Sequence, residues 1–243
     1  MWRSGVAALA VWICFMAAPV AAQDLSISLG DDGSLSARAI QLFALVTVLS
    51  LAPGLAIMVT CFPFLVTVLS ILRQAIGLQA SPPNMLIVSL ALFLTYFVME
   101  PVFTEAWQSG LQPLANEEIE IEQAFLRTLE PFRVFMAARM DPDTFTAMAD
   151  LRPDTVGQQL SSEAPLSVLI PSFLLSEIAR AFQIGFLVFL PFLIIDLVVA
   201  AVLMSMGMMM VPPAIVSLPF KLAFFVVADG WALIAGSLVR SYF

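Results

Sequence analysis

The chain has 243 residues, 61% of them hydrophobic, with a net charge of −8 and a mean hydropathy of +0.99. That is too apolar for an ordinary water-borne domain, in which apolar residues make up roughly half. There is no histidine and only one lysine, Lys221, which excludes histidine-dependent triads, zinc sites built on histidine and imidazole proton shuttles.

The first 22 residues read as a cleavable signal peptide. Arg3 supplies the positive end, Gly5 to Ala17 the apolar stretch and Val20-Ala21-Ala22 a small-residue cleavage site;. A retained first helix is the alternative. Cleavage places the new N-terminus outside the cytoplasm and removes Cys14, leaving Cys61 without an internal disulfide partner. Residues 23–38 form a polar leader containing Gly30-Asp31-Asp32-Gly33.

Residues 39–103 read as a first helical hairpin. Ile40 to Leu72 is longer than one span and is interrupted by Pro53-Gly54 and Pro63, so it predicts a kinked helix or two joined half-helices;. A polar connection ending in Ser81-Pro82-Pro83 follows, and Asn84 opens a second apolar run to Phe103.

Residues 104–164 are the water-facing piece. From Glu100 to Glu163 the chain holds twelve acids and four bases, so the entire excess charge lies here and the remainder balances. Nucleic acid does not suit such a surface. Asn116 before Glu117-Glu118 predicts a helix start, Pro131 an interruption, and Asp141-Pro142 another N-terminus with proline in the first turn. Sixty-one residues hold little core, which predicts an elaborated loop of short helices rather than a domain.

Residues 165–243 read as a second helical hairpin with a methionine-rich loop at 204–213. Pro165 to Met206 spans about forty residues. As one helix it would be about 60 Å long, twice a bilayer core, and must bend, break or stand partly outside the hydrocarbon. Gly207-Met208-Met209-Met210-Val211-Pro212-Pro213 then turns the chain. Methionine is unbranched and polarizable, so the cluster suits either irregular packing or a deformable seal.

Ionisable groups inside apolar runs are costly, at roughly 2.5 to 3.5 kcal/mol each on insertion scales. If the hairpin turns near Met208–Met209, then Asp196 lies level with Lys221, and Glu177 with Arg240. A salt bridge between Asp196 and Lys221 is expected. Arg180, three residues from Glu177, competes with Arg240 for that acid. Structural neutralisation, a proton relay and contacts between subunits all remain open for these charges.

Pro171-Ser172-Phe173-Leu174-Leu175-Ser176-Glu177-Ile178-Ala179-Arg180-Ala181-Phe182-Gln183-Ile184-Gly185-Phe186 resembles the signature of the FliP/SctR family of type III secretion export gates. Leu190 to Asp196, Met204 to Pro213, Leu218-Pro219-Phe220-Lys221 and Asp229-Gly230-Trp231 follow in order. Leu69 to Gly77 and Ser81 to Asn84 match as well, so the likeness covers most of residues 40–243. The acidic segment matches only in length and character. The signal peptide and leader resemble the flagellar branch.

The resemblance implies an all-α fold of membrane-type helical hairpins that assemble into a helical, cone-shaped export-gate complex around a pore. It implies a pentamer together with FliQ and FliR, engaged by FlhA and FlhB and assisted in assembly by FliO. Family hairpins tilt out of the bilayer on assembly, which suits the overlong second run. The family's methionine gasket carries over to Met208, Met209 and Met210 and extends to Met206. Gly207 is expected to lend flexibility, and Pro212 and Pro213 a stiff base. Thr60-Cys61-Phe62-Pro63-Phe64 departs from the pattern. Phe64 stands where many members have arginine, which leaves an intersubunit salt bridge there without its base.

Together these readings predict a non-enzymatic, pore-forming subunit of the flagellar export gate. It would sit in the bacterial inner membrane at the flagellar basal body, with residues 104–164 on the periplasmic side. Unfolded flagellar proteins would be its cargo, and no cofactor is expected. A virulence-type secretion gate and a proton-coupled secondary transporter are the alternatives. A transporter would be expected to show inverted repeats, and none is visible.

Overall fold

The computed structural model describes residues 35–78, 82–208 and 210–243. The predicted signal peptide and most of the leader lie outside the described residues. The chain divides into two units, Met1–Leu49 and Ser50–Phe243. All regular structure among the described residues is helical. Among the described residues three helices are long and apolar enough to cross a membrane, and a bent pair offers a fourth span.

Helix α1, Leu35–Met58, continues through Pro53-Gly54, where a break was expected. The interruption falls instead at Val59–Cys61. There the Thr60 hydroxyl donates to the Ile57 carbonyl at 2.8 Å and accepts from the Phe62 amide. Helix α2, Phe62–Ile76, starts at that point with Pro63 in its first turn, so Pro63 opens a helix rather than kinking one;. Phe64, Leu65, Val68, Leu69, Leu72, Ala75 and Ile76 are buried, a three-and-four spacing that makes one continuous apolar stripe;. Gly77, with φ of 88°, ends the helix in the left-handed region;.

Helix α3, Asn84–Ala106, runs past the expected end at Phe103. It passes through a π-helical turn, Trp107–Leu111, into a short α4, Gln112–Ala115. Gly110 sits in that turn because a Cβ there would lie 2.1 Å from Thr128 Oγ1. Asn116 therefore closes a helix instead of opening one, and Glu117 takes a left-handed conformation with φ of 60°.

Helix α5, Ile121–Arg139, begins four residues after Glu117 and contains Pro131 without interruption. An interior proline costs about 3 kcal/mol in an isolated helix. Burial of Pro131 and the packing of Phe132 on Phe103 (5.9 Å) and Phe135 on Phe173 (5.9 Å) oppose that cost. Helix α6, Pro142–Ala149, starts as expected: Asp141 accepts from the Thr144 amide at 2.9 Å, and Pro142 occupies the first turn. Met136, Met140, Phe145 and Ala149 join Val168, Leu169 and Phe173 in a core of their own. The acidic segment thus contributes half of a core whose other half comes from the next helix.

Helix α7, Leu166–Ser205, is a single forty-residue element with Pro171 and Pro191 inside it. Its buried face meets α2 closely at Gly185, where a Cβ would lie 2.4 Å from Ile71 Cδ1. Helix α8, Pro213–Val227, returns from the tip. Helix α9, Gly230–Arg240, departs from it at an angle of 61°. Asp229 at the break has φ of 48°, and Gly230 is required because a Cβ would fall 2.2 Å from the Phe225 ring.

Candidate functional site

The α7–α8 turn is built by a defined helix cap. Gly207 takes φ of 76°. Its amide donates to the Met204 carbonyl at 3.0 Å, and the Met208 amide donates to the Leu203 carbonyl at 3.0 Å. This is the Schellman pattern, which satisfies carbonyls that a helix end would otherwise leave bare. Gly207 supplies the left-handed residue that this cap requires;. Pro212, with φ of −65°, precedes α8, and Pro213 fills its first position;.

The tip presents methionine outward. Met206 and Met208 are exposed, and Met210 is 97% exposed. Met209 lies outside the described residues. Beside the turn runs an apolar groove of about 560 Å³ lined by Ile194, Val198, Leu203, Met206, Met208 and Phe220.

Below the tip, Asp196 and Lys221 face each other at 2.6 Å, level across the hairpin. The Ser217 hydroxyl donates to the other carboxylate oxygen at 2.5 Å. The Lys221 ammonium also donates to the Ala75 carbonyl at 3.2 Å.

At the other end, Glu177 is fully buried. Neither Arg240 nor Arg180 is within ion-pair distance of it. Its cation is Arg139, with Nε 3.4 Å from Oε1. The Tyr242 hydroxyl donates to Oε2. Burial, then the Glu177 charge, push that hydroxyl well above its ordinary range, so it remains a donor;. The level-counting that pairs Asp196 with Lys221 fails for Arg240 because the 61° break at Ala228–Asp229 turns the second arm aside. Arg240 is left exposed, and Arg180 acts electrostatically on Asp141 instead. Phe64, where family members were expected to carry arginine, is buried with its ring edge-on to Tyr242 at 5.6 Å.

Arg139 and Tyr242 were not anticipated. Arg139 lies among surface charges in sequence, and its only signal is a base in the last turn of a helix followed by Asp141-Pro142;. Tyr242 carries no local signal.

Apolar helices of membrane-crossing length, with buried ion pairs and a capped methionine turn, define an all-α membrane-type protein. Residues 45–238 match the FliP family, and the chain belongs to it. It is 51% identical to the flagellar biosynthetic protein FliP of Caulobacter vibrioides, over 93% of this chain and 85% of that one. It is 50% identical to that of Agrobacterium fabrum, over 87% and 86%. Identity to that of Bacillus subtilis is 43%, over 90% and 98%.

Proposed function

We propose that this chain is a non-enzymatic, pore-forming subunit of the flagellar type III export gate in the bacterial inner membrane. It conducts unfolded flagellar proteins and is closed at rest by a ring of methionines. The observation that carries this reading is the Schellman-capped turn, which holds Met206, Met208 and Met210 exposed at the end of a forty-residue apolar helix. A single copy exposes these apolar side chains with no partner to cover them. Several copies arranged as the family resemblance implies, a pentamer with FliQ and FliR, bring them together on an axis. Flexible thioethers then exclude water and ions at rest and yield around a passing chain.

The relatives' shared name supports the flagellar assignment. In this reading FlhA and FlhB engage the assembled gate, FliO assists its assembly, and residues 104–164 face the periplasm. The test is ion conductance of the reconstituted gate carrying Met208→Ala, Met209→Ala and Met210→Ala together. Leakage is expected to rise before secretion is lost, and parental conductance in the assembled triple variant refutes the seal.

A further inference from the structure

Lys221 is joined to more of the molecule than charge neutralisation requires. The Asp196 carboxylate already accepts from Ser217, and one ammonium contact completes the pair. Yet the Lys221 ammonium, with the side chain only 7% exposed, reaches a third helix. Ala75, in the last turn of α2, is among the carbonyls with no intrahelical donor, and the negative end of the helix dipole favours a cation there. Next to it, Leu218 of α8 packs on the left-handed Gly77: a Cβ at that glycine would sit 3.4 Å from Leu218 Cδ1. Consecutive turns of α8 thus hold the end of α2 by a hydrogen bond and by an apolar contact.

We propose that Lys221 is a positioning residue for the methionine turn, fastening α7 and α8 to the C-terminal end of α2. Met206, which caps α7, lies ten residues beyond Asp196, about 15 Å along the axis;, so the fastening sits at the base of the tip. Lysine suits the task because its three donors radiate from one atom and serve a carboxylate and a carbonyl in different directions. The inference rests on the proposed seal, which gives the turn's position a consequence.

The decisive variant replaces both charges, Asp196→Leu with Lys221→Met. If Lys221 merely neutralises Asp196, removing the pair leaves the structure intact, because buried ion pairs are often replaceable by hydrophobic groups. If it fastens α2, the double variant loosens the hairpin. Nitroxides at Gln74→Cys and Ile215→Cys, both exposed positions, report the α2-to-tip distance by pulsed dipolar spectroscopy. The labelled chain is diluted with unlabelled subunits in the liposome-reconstituted gate, and potassium efflux is read from the same vesicles.

The expected result is loss of the single narrow distance distribution together with raised efflux. A narrow, parental distribution in the assembled double variant overturns the proposal. Broadening without efflux upholds the fastening and refutes the methionine seal. Efflux from the methionine variants with a narrow distribution in the double variant does the reverse. Should the double variant not assemble, Lys221→Arg takes its place. Its planar fork keeps the ion pair but does not match both directions, so broadening is again expected, and a narrow distribution again overturns the proposal.

Discussion

The Arg139 guanidinium lies 3.9 Å above the Tyr242 ring, and its Nη1 donates to the Ser241 carbonyl at 2.6 Å. The end of α5, the first third of α7 and the residues after α9 therefore meet at the Glu177 carboxylate. Arg139→Met would leave that carboxylate buried without its cation, a change that costs about 3–5 kcal/mol. Arg240→Ala, at an exposed position, should alter stability by less than about 0.5 kcal/mol. Thermal unfolding of the purified protein checks both. Equal losses for the two variants would contradict the assignment of Arg139 as the partner.

Gly185 admits no side chain where α7 crosses α2. Gly185→Val should destabilise by about 1–3 kcal/mol through overpacking against Ile71. Adding Ile71→Ala should recover part of the loss, because contacting residues couple. Strictly additive unfolding energies would show that the two sites do not touch.

Gly207→Ala places a Cβ on a residue with φ of 76°. A penalty of about 1 kcal/mol is expected, concentrated in the turn. Amide exchange at Met208, whose N–H is held by the Leu203 carbonyl, should accelerate while exchange in α2 does not. Uniform protection in the variant would rule out the cap.

Asp141 caps α6, and its hydrogen bonds from the Thr144 hydroxyl and amide hold its carboxyl below the ordinary value of 3.8. The folded value is depressed, so the stabilisation is fully present above the unfolded value and is lost as pH falls through the folded one. Helix α6 should therefore weaken on acidification below about pH 3.8. Asp141→Asn, which can still cap, should remove this component of the pH dependence. Amide exchange at Thr144 followed against pH makes the comparison.

Leu151 is 74% exposed within the acidic segment. If that segment faces the periplasm, Leu151→Cys should react with a membrane-impermeant maleimide added to intact spheroplasts. The buried Cys61 provides the unreactive background. Labelling only after lysis would place the segment on the other side.

Much of the hairpin is legible in the sequence because its logic is local and periodic. Asp196 and Lys221 can be paired by counting from the turn, since α7 and α8 are uninterrupted between them. The same count fails for Glu177 and Arg240 because a left-handed Asp229 bends the returning arm. Prolines mislead as well: Pro53 and Pro131 are strong breakers in isolation yet lie inside continuous helices;. Asn116 carries the residue preference of a helix start, but the π turn before it extends α3's helical path, and Asn116 ends that path instead. The Arg139–Glu177–Tyr242 cluster joins positions 38 and 65 residues apart, and no periodicity announces such a meeting.

The unbroken course of α7 has a mechanical corollary. From Glu177, gripped in the core, to Ser205 at the turn is 28 residues, about 42 Å, and with α2 packed on it at Gly185 and joined through Lys221 the arm moves as one stiff body;. A tilt of only about 5° around the gripped end would sweep the tip sideways by about 4 Å, the scale on which a van der Waals contact is lost. A push on the acidic segment that is barely measurable where it is applied would arrive at the methionines as the opening or closing of a gap.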